Sequence, residues 1–123
     1  MARVRVTVEG WGRLKRRLHE LPEDVRRGAL DAVEEGARAV QSETRERVRV
    51  RTGALRNGVK VRVNERWLRA DVGWSDPELY YCKFQEFGTS KITANPALTT
   101  AGEAERRRFP GRVSEEVRKE IER

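Results

Sequence analysis

Tyr80, Tyr81 and Lys83 stand almost side by side in an arginine-rich chain. Those residue types can supply general acid–base groups and an electrostatic clamp, the parts from which a metal-free ribonuclease of the toxin type can be built. The competing reading puts Tyr80 in the core and the cations on the surface. Other reaction chemistry finds less to work with. His19 is the single histidine, so a nucleophile triad would have to use it, and the sequence has no Gly-x-Ser-x-Gly elbow. One histidine and one cysteine, Cys82, do not make a usual structural zinc site. Neither a phosphate-binding loop nor a dinucleotide fingerprint is present. The acid pairs Glu34-Glu35 and Glu115-Glu116 are interleaved with arginines and read as solvated helix faces. Cys82 reads as a small core residue. The expectation is a protein without enzymatic activity, cofactor or metal.

Charge is the next signal. The chain has 123 residues, a net charge of +7 and a pI near 10.3. Arginine dominates, with lysine at positions 15, 60, 83, 91 and 119 only. The clusters Arg13-Leu14-Lys15-Arg16-Arg17 and Arg106-Arg107-Arg108 are of a kind that neutralises phosphates. Acids stand beside both: Glu20, Glu23 and Asp24 near the first, Glu103 and Glu105 near the second. With no helix-turn-helix or aromatic RNA-binding signature, a small basic nucleic-acid-binding module is the second reading. The sequence contains no run of eighteen apolar residues for a membrane span and no apolar stretch after Met1 for a signal peptide. A lone cysteine fits a reducing compartment. A protein made in cytosol, with no membrane partner, is expected.

The elements that must position these residues follow from periodicity. Residues 3–9 alternate valine with polar residues and read as a strand. A short helix carrying Trp11, Leu14 and Leu18 follows. Pro22-Glu23-Asp24 starts a long helix reaching about Val48, with Val25, Ala29, Val33, Ala37, Val40, Thr44 and Val48 in one stripe. Glu23–Arg27, Glu34–Arg38 and Glu43–Arg47 are favourable pairs four apart. Such a rod is about 40 Å long and could overhang the core by half its length. Val59, Val61 and Val63, then Leu68, Ala70, Val72 and Trp74, form a hairpin about Asn64-Glu65-Arg66. Glu78 to Phe87 reads as an aromatic helix that buries Tyr80, Phe84 and Phe87, with Glu86 facing the other way and Gly88 as the stop. Residues 89–94 lack periodicity and read as a mobile loop. Asn95 is the expected N-cap, and Pro96 the first turn, of a helix ending near Phe109-Pro110-Gly111. A last short helix starts at Ser114. The result is an α+β fold, an antiparallel sheet of three or more strands packed by one long helix and shorter helices. It forms one domain over residues 1–123, with 110–123 as a C-terminal extension.

Two segments are distinctive together. Val50-Arg51-Thr52-Gly53-Ala54-Leu55-Arg56 joins the long helix to the hairpin. Tyr80-Tyr81-Cys82-Lys83-Phe84-Gln85-Glu86-Phe87-Gly88-Thr89-Ser90 precedes Ala94-Asn95-Pro96-Ala97-Leu98 and a helix. In this order, over roughly residues 1–105, the chain resembles the head–tail joining family of long-tailed bacteriophages. There the first segment reads Arg-Thr-Gly-x-Leu-Arg, and the second Tyr-Ala-x-Phe-x-Glu-Phe-Gly-Thr followed by Ala-x-Pro-Phe-Leu. Cys82 replaces the usual alanine, Ala97 a frequent phenylalanine, and Pro110 interrupts the usual single last helix.

The resemblance implies a structural virion protein of the head–tail junction, assembled in the bacterial cytoplasm. It implies a homo-oligomeric ring on the DNA exit channel, touching neighbouring connector and tail proteins and lying close to DNA. The neck layer (neck ring, head closure or tail terminator) and the subunit number stay open. The motif residues Arg51, Thr52, Gly53, Leu55, Arg56, Phe84, Glu86, Phe87, Gly88, Thr89 and Pro96 become the family signature and candidate subunit interface. Within it, Thr52-Gly53 is expected to turn the chain and Leu55 to plug the core. Glu86 is expected to pair with Arg51 or Arg56, within a subunit or across the ring.

Overall fold

A computed structural model describes the backbone of residues 3–6, 22–48 and 53–122. The expected short helix with Trp11 and His19, the basic cluster 13–17, and Arg51 and Thr52 lie outside them. Strand β1 is Arg3–Val6 and helix α1 is Glu23–Arg47. A single-turn helix α2, Ala54–Gly58, leads into the hairpin of β2, Lys60–Asn64, and β3, Arg69–Gly73. A 3-10 turn at Pro77–Leu79 precedes α3, Cys82–Phe87, and the chain closes with α4, Ala97–Ile121. The sheet is antiparallel with order β1-β3-β2, so β2 is an edge strand. Val61 and Val63 stand opposite Val72 and Ala70.

Helix α1 begins and ends as its charges dictate. Glu23 and Asp24 meet the positive end of the helix dipole, and Arg45 and Arg47 the negative end. Of the predicted stripe, Ala29, Val33, Ala37, Val40, Thr44 and Val48 are buried and Val25 is half-buried. The Thr44 hydroxyl donates to the Val40 carbonyl at 2.7 Å, which satisfies it in the core. Opposite the stripe Val59, Leu68, Ala70, Val72 and Trp74 are buried, while Val61 and Val63 of the same expected apolar set are half-buried against the core. Trp74 Nε1 donates to the Leu55 carbonyl at 2.8 Å, and Gln41 Nε2 to that of Val59 at 2.8 Å. The first bond ties α2 to the residue after β3, and the second ties the residue before β2 to α1. Arg26 reaches the carbonyls of Glu65 and Arg66, both at 3.3 Å, and ties the hairpin turn to the other end of α1. Leu55 is buried, as expected of a core plug.

The rod does not overhang. Helix α4 packs antiparallel along α1, covering Gly28, Ala32 and Gly36. A Cβ on Gly28 would stand 2.7 Å from the Val117 Cα and 2.9 Å from the Glu116 carbonyl, so the two backbones touch there. Phe109 fills the space beside Gly36. Charge lines this seam. Glu43 pairs with Arg108 rather than with Arg47, and Arg112 joins Glu105 at 2.7 Å to Glu35 at 3.8 Å. Arg27 bonds both Glu23, as predicted, and Glu120.

The expected break at Phe109-Pro110-Gly111 is absent: α4 continues through Pro110. Proline removes one helical hydrogen bond and crowds the preceding turn, which usually ends a helix. Here Phe109 is anchored against Gly36, and the Glu105–Arg112 bond spans the proline, so packing on α1 holds both halves in line. Pro110 and Gly111 are both exposed, and nothing lies within 4 Å of a Cβ placed on Gly111. Both residues therefore weaken the helix without contributing packing. Gly111→Ala is expected to stabilise the protein by about 0.5–1 kcal/mol, and Pro110→Ala by up to about 3 kcal/mol. Thermal melts of the two variants check this. A helix that ended at Phe109 would leave both melting temperatures where they were.

Candidate functional site

The aromatic helix α3 is turned round from its expected orientation. Tyr80 is 63% exposed, Phe84 39% and Phe87 71%, whereas Glu86 is 3% exposed and Cys82 is buried. The Tyr80 ring meets Tyr81 and Phe84 edge-on, with centroids 5.9 and 6.5 Å apart. The rings thus form an outward patch. The inward side is chosen by a carboxylate. Glu86 Oε1 accepts the Leu98 N–H at 3.0 Å, and Oε2 accepts the Thr99 N–H at 2.8 Å and the Thr99 hydroxyl at 2.6 Å.

Helix α4 begins with backbone N–H groups that have no partner inside the helix. Pro96 stands at the cap position and offers no side-chain acceptor. The carboxylate from α3 takes that role, with the favourable sign for a helix N-terminus. Asn95, the expected cap, is used elsewhere. Its N–H donates to the Gln85 carbonyl at 2.6 Å, and its Nδ2 donates to the Arg47 carbonyl, at the end of α1, at 3.0 Å. Glu86 is therefore bonded within the subunit to α4, not to Arg56. Arg51, the other expected partner, is outside the described residues.

The loop between α3 and α4 is closed by its own bonds. Gly88 N–H donates to the Phe84 carbonyl and Thr89 N–H to that of Ile92, each at 2.9 Å, while the Thr89 hydroxyl accepts from Lys91 and Ile92. Gly88 has φ 76 and ψ 171, and Gly53 has φ 82 and ψ −5. The motif turn at Gly53 thus has the positive φ that favours glycine. Asn57 N–H donates back to the Gly53 carbonyl at 2.9 Å. Arg45, Gly53, Arg56 and Asn57 line an open groove of ≈ 390 Å³.

Of the grouping Tyr80, Tyr81 and Lys83, Tyr81 is half-buried and packs against the core. The Tyr80 ring packs on Phe84 on an outward face, and Lys83 is exposed. Among the described residues no group of three or more His, Cys, Asp or Glu is placed to hold a metal ion, and no helix is long and apolar enough to cross a membrane. Across the helix seam Glu35 faces Glu116, a pair the sequence does not reveal because most of the chain separates them. Burial, reinforced by the Glu116 carboxylate and opposed by Arg112 and Lys119, raises the Glu35 carboxyl above its ordinary value. Arg112 and Lys119 thus serve four acids of the seam, Glu35, Glu105, Glu115 and Glu116.

Residues 12–88 match the family HK97-gp10_like, described as a tail component of bacteriophage HK97-gp10 type. The chain belongs to the HK97-gp10-like family. Members are structural parts of a phage tail, which implies a place in the virion and argues for a structural role over catalysis. The matched segment includes both turns of the signature and ends at Gly88; α4 lies beyond it. No curated protein and no solved structure matches the chain.

Proposed function

We propose that this HK97-gp10-like protein is a neck component, a subunit of a homo-oligomeric ring that helps join the DNA-filled head to the tail and touches neighbouring connector and tail proteins. The observation that carries the reading is the outward patch of Tyr80, Phe84 and Phe87. Large apolar rings grouped on a surface mark a contact with another protein, because water gains when they are covered. The helix that carries this patch is also anchored. Glu86, on the inner side of the same short helix, fastens α3 to the first turn of α4. A preformed aromatic surface loses little conformational freedom on binding. A ring repeats one contact around an axis, so a patch of this kind meets a different surface of the next copy.

The test is the assembly state of Phe84→Ser/Phe87→Ser beside the unaltered protein, by native mass spectrometry. Both rings project outward, so the double variant is expected to keep its melting temperature within a few degrees. Its ring population is expected to fall about tenfold or more, as loss of an aromatic anchor pair costs over 1 kcal/mol. Unchanged assembly in the variant, or an unaltered protein that stays monomeric at every concentration, sinks the reading.

A further inference from the structure

Among the described residues, paired and unpaired charges fall in different places. Along the α1–α4 seam the cations meet acids, which outnumber them seven to four: Arg27 with Glu23 and Glu120, Arg108 with Glu43, Arg112 with Glu105 and Glu35, Lys119 with Glu115 and Glu116. Around the motif turn they do not. Among the described residues, no carboxylate lies within ion-pair distance of Arg45, Arg56, Lys60 or Arg62. Arg56, Lys60 and Arg62 are exposed. Asp71 stands opposite Arg62 in the register and offsets one charge of the four.

We propose that the groove of Arg45, Gly53, Arg56 and Asn57, continued by Lys60 and Arg62 on the edge strand β2, is a phosphate-binding strip for double-stranded DNA, engaged without sequence preference. Three features support it. The groove is preorganised. Arg45 Nε donates to the Arg56 backbone carbonyl at 3.2 Å, which holds the Arg45 guanidinium on the groove wall and leaves its terminal nitrogens available. Gly53 brings bare backbone to the groove wall, with the Asn57 amide beside it. A phosphate is well matched by such planar, forked donors. Second, the cations recur along a line. Lys60 and Arg62 alternate with Val61 and share one side of β2, about 7 Å apart, far enough to take separate phosphates. The groove is open along the surface, which suits a polymer better than an enclosed small molecule.

The third feature decides between DNA and an acidic protein. A protein interface is built round an apolar centre, and among the described residues the large exposed apolar side chains are Tyr80, Phe84, Phe87 and Ile121, none of which lines the groove. A strip of cations without an apolar centre gains its affinity by releasing counterions from phosphates. This contact does not depend on ring formation, since every residue in it belongs to one subunit.

Anisotropy of a labelled random-sequence duplex, titrated with the full chain at several salt concentrations, tests the strip. The unaltered protein is expected to bind with an affinity that falls linearly in log–log form as salt rises. Arg56→Gln/Lys60→Gln/Arg62→Gln removes three exposed cations and leaves the Arg45 bond to the backbone in place. It is expected to weaken binding at low salt by about tenfold or more and to flatten the salt slope by about 2–3, near 0.9 per lost phosphate contact. Arg107→Gln/Arg118→Gln, which removes exposed charge from α4, is expected to change either quantity far less. Absence of binding at low salt, an unchanged slope in the strip variant, or an equal loss in the α4 variant overturns the proposal. So does equal binding of a polyglutamate peptide lost in the same variant, which reassigns the strip to an acidic protein. Phe84→Ser/Phe87→Ser is expected to retain DNA binding per subunit, which separates failure of the strip from failure of the ring.

Discussion

Replacing Glu86 with alanine is expected to cost the fold about 3–5 kcal/mol. The carboxylate accepts three hydrogen bonds at the start of α4, and bonds to a charged acceptor contribute about 1.5–3 kcal/mol. Truncation also leaves the buried Leu98 N–H without its acceptor, a further cost of about 1–3 kcal/mol. The two effects overlap, because both describe the same donors. Even the lower end is a large fraction of the 5–15 kcal/mol that typically holds a domain together. Glu86→Gln keeps one carbonyl oxygen for one of the donors and should lose about half as much. Urea unfolding measures both variants through their midpoints, at an unchanged slope if only stability has moved. An interface acid would behave otherwise. Its loss would leave the unfolding midpoint in place and lower the assembly constant alone. A Glu86→Ala midpoint equal to that of the unaltered protein would return the residue to the subunit interface that the sequence suggested.

Glu86 also shows where sequence reading stops. Over the expected helix from Glu78 to Phe87 a period of 3.6 puts Tyr80, Phe84 and Phe87 on one side, and Cys82 and Glu86 on the other; the structure's α3 covers its second half. Periodicity divides the faces without saying which one is inside. Hydrophobicity selects the rings, and that answer is wrong here because the first turn of α4 needs an acceptor and Pro96 offers none. The need arises in an element twelve residues away and is invisible in the local pattern. Pro110 fails for the same kind of reason: the local rule is sound, and packing of Phe109 on Gly36 overrides it. Where local and tertiary demands agree, the reading holds. The stripe of α1 and the alternation of the hairpin each have a single face able to bury valine, and the structure buries that face. Of the signature, Gly53 and Gly88 were legible as turn residues, since only backbone conformation is asked of them. Arg45 and Arg56 were legible as charge but not as walls of one groove.

The two signature glycines differ in how much they demand, and the difference predicts opposite tolerances. Gly53 lies in the left-handed helical region, where asparagine is tolerated, and a Cβ there would meet only the Asn57 side-chain nitrogen at 3.4 Å. Gly53→Asn is expected to cost about 1 kcal/mol or less, and Gly53→Ala about 1–2 kcal/mol. Gly88, at φ 76 and ψ 171, lies in a region essentially closed to every other residue, at a cost of about 1–3 kcal/mol for backbone strain alone. Its Cβ would also stand 2.9 Å from the Ala94 nitrogen and 3.0 Å from the Ile92 carbonyl oxygen. Both are backbone atoms, and the bonds Thr89 N–H to Ile92 and Asn95 N–H to Gln85 hold that backbone in place. Neither neighbour can move aside as a side chain would. Gly88→Ala is therefore expected to cost about 3–4 kcal/mol, well above any substitution at Gly53 short of a β-branched residue. It is also expected to loosen the Phe87 ring beside it, and with it the proposed ring contact. Thermal melts of Gly53→Asn, Gly53→Ala and Gly88→Ala give the ranking, and hydrogen exchange across residues 88–96 reports the loosening. Were Gly88→Ala to melt with Gly53→Asn and keep the protection of residues 88–96, the loop would have found another path. The bonds that close it would then be a consequence of the fold and not one of its supports.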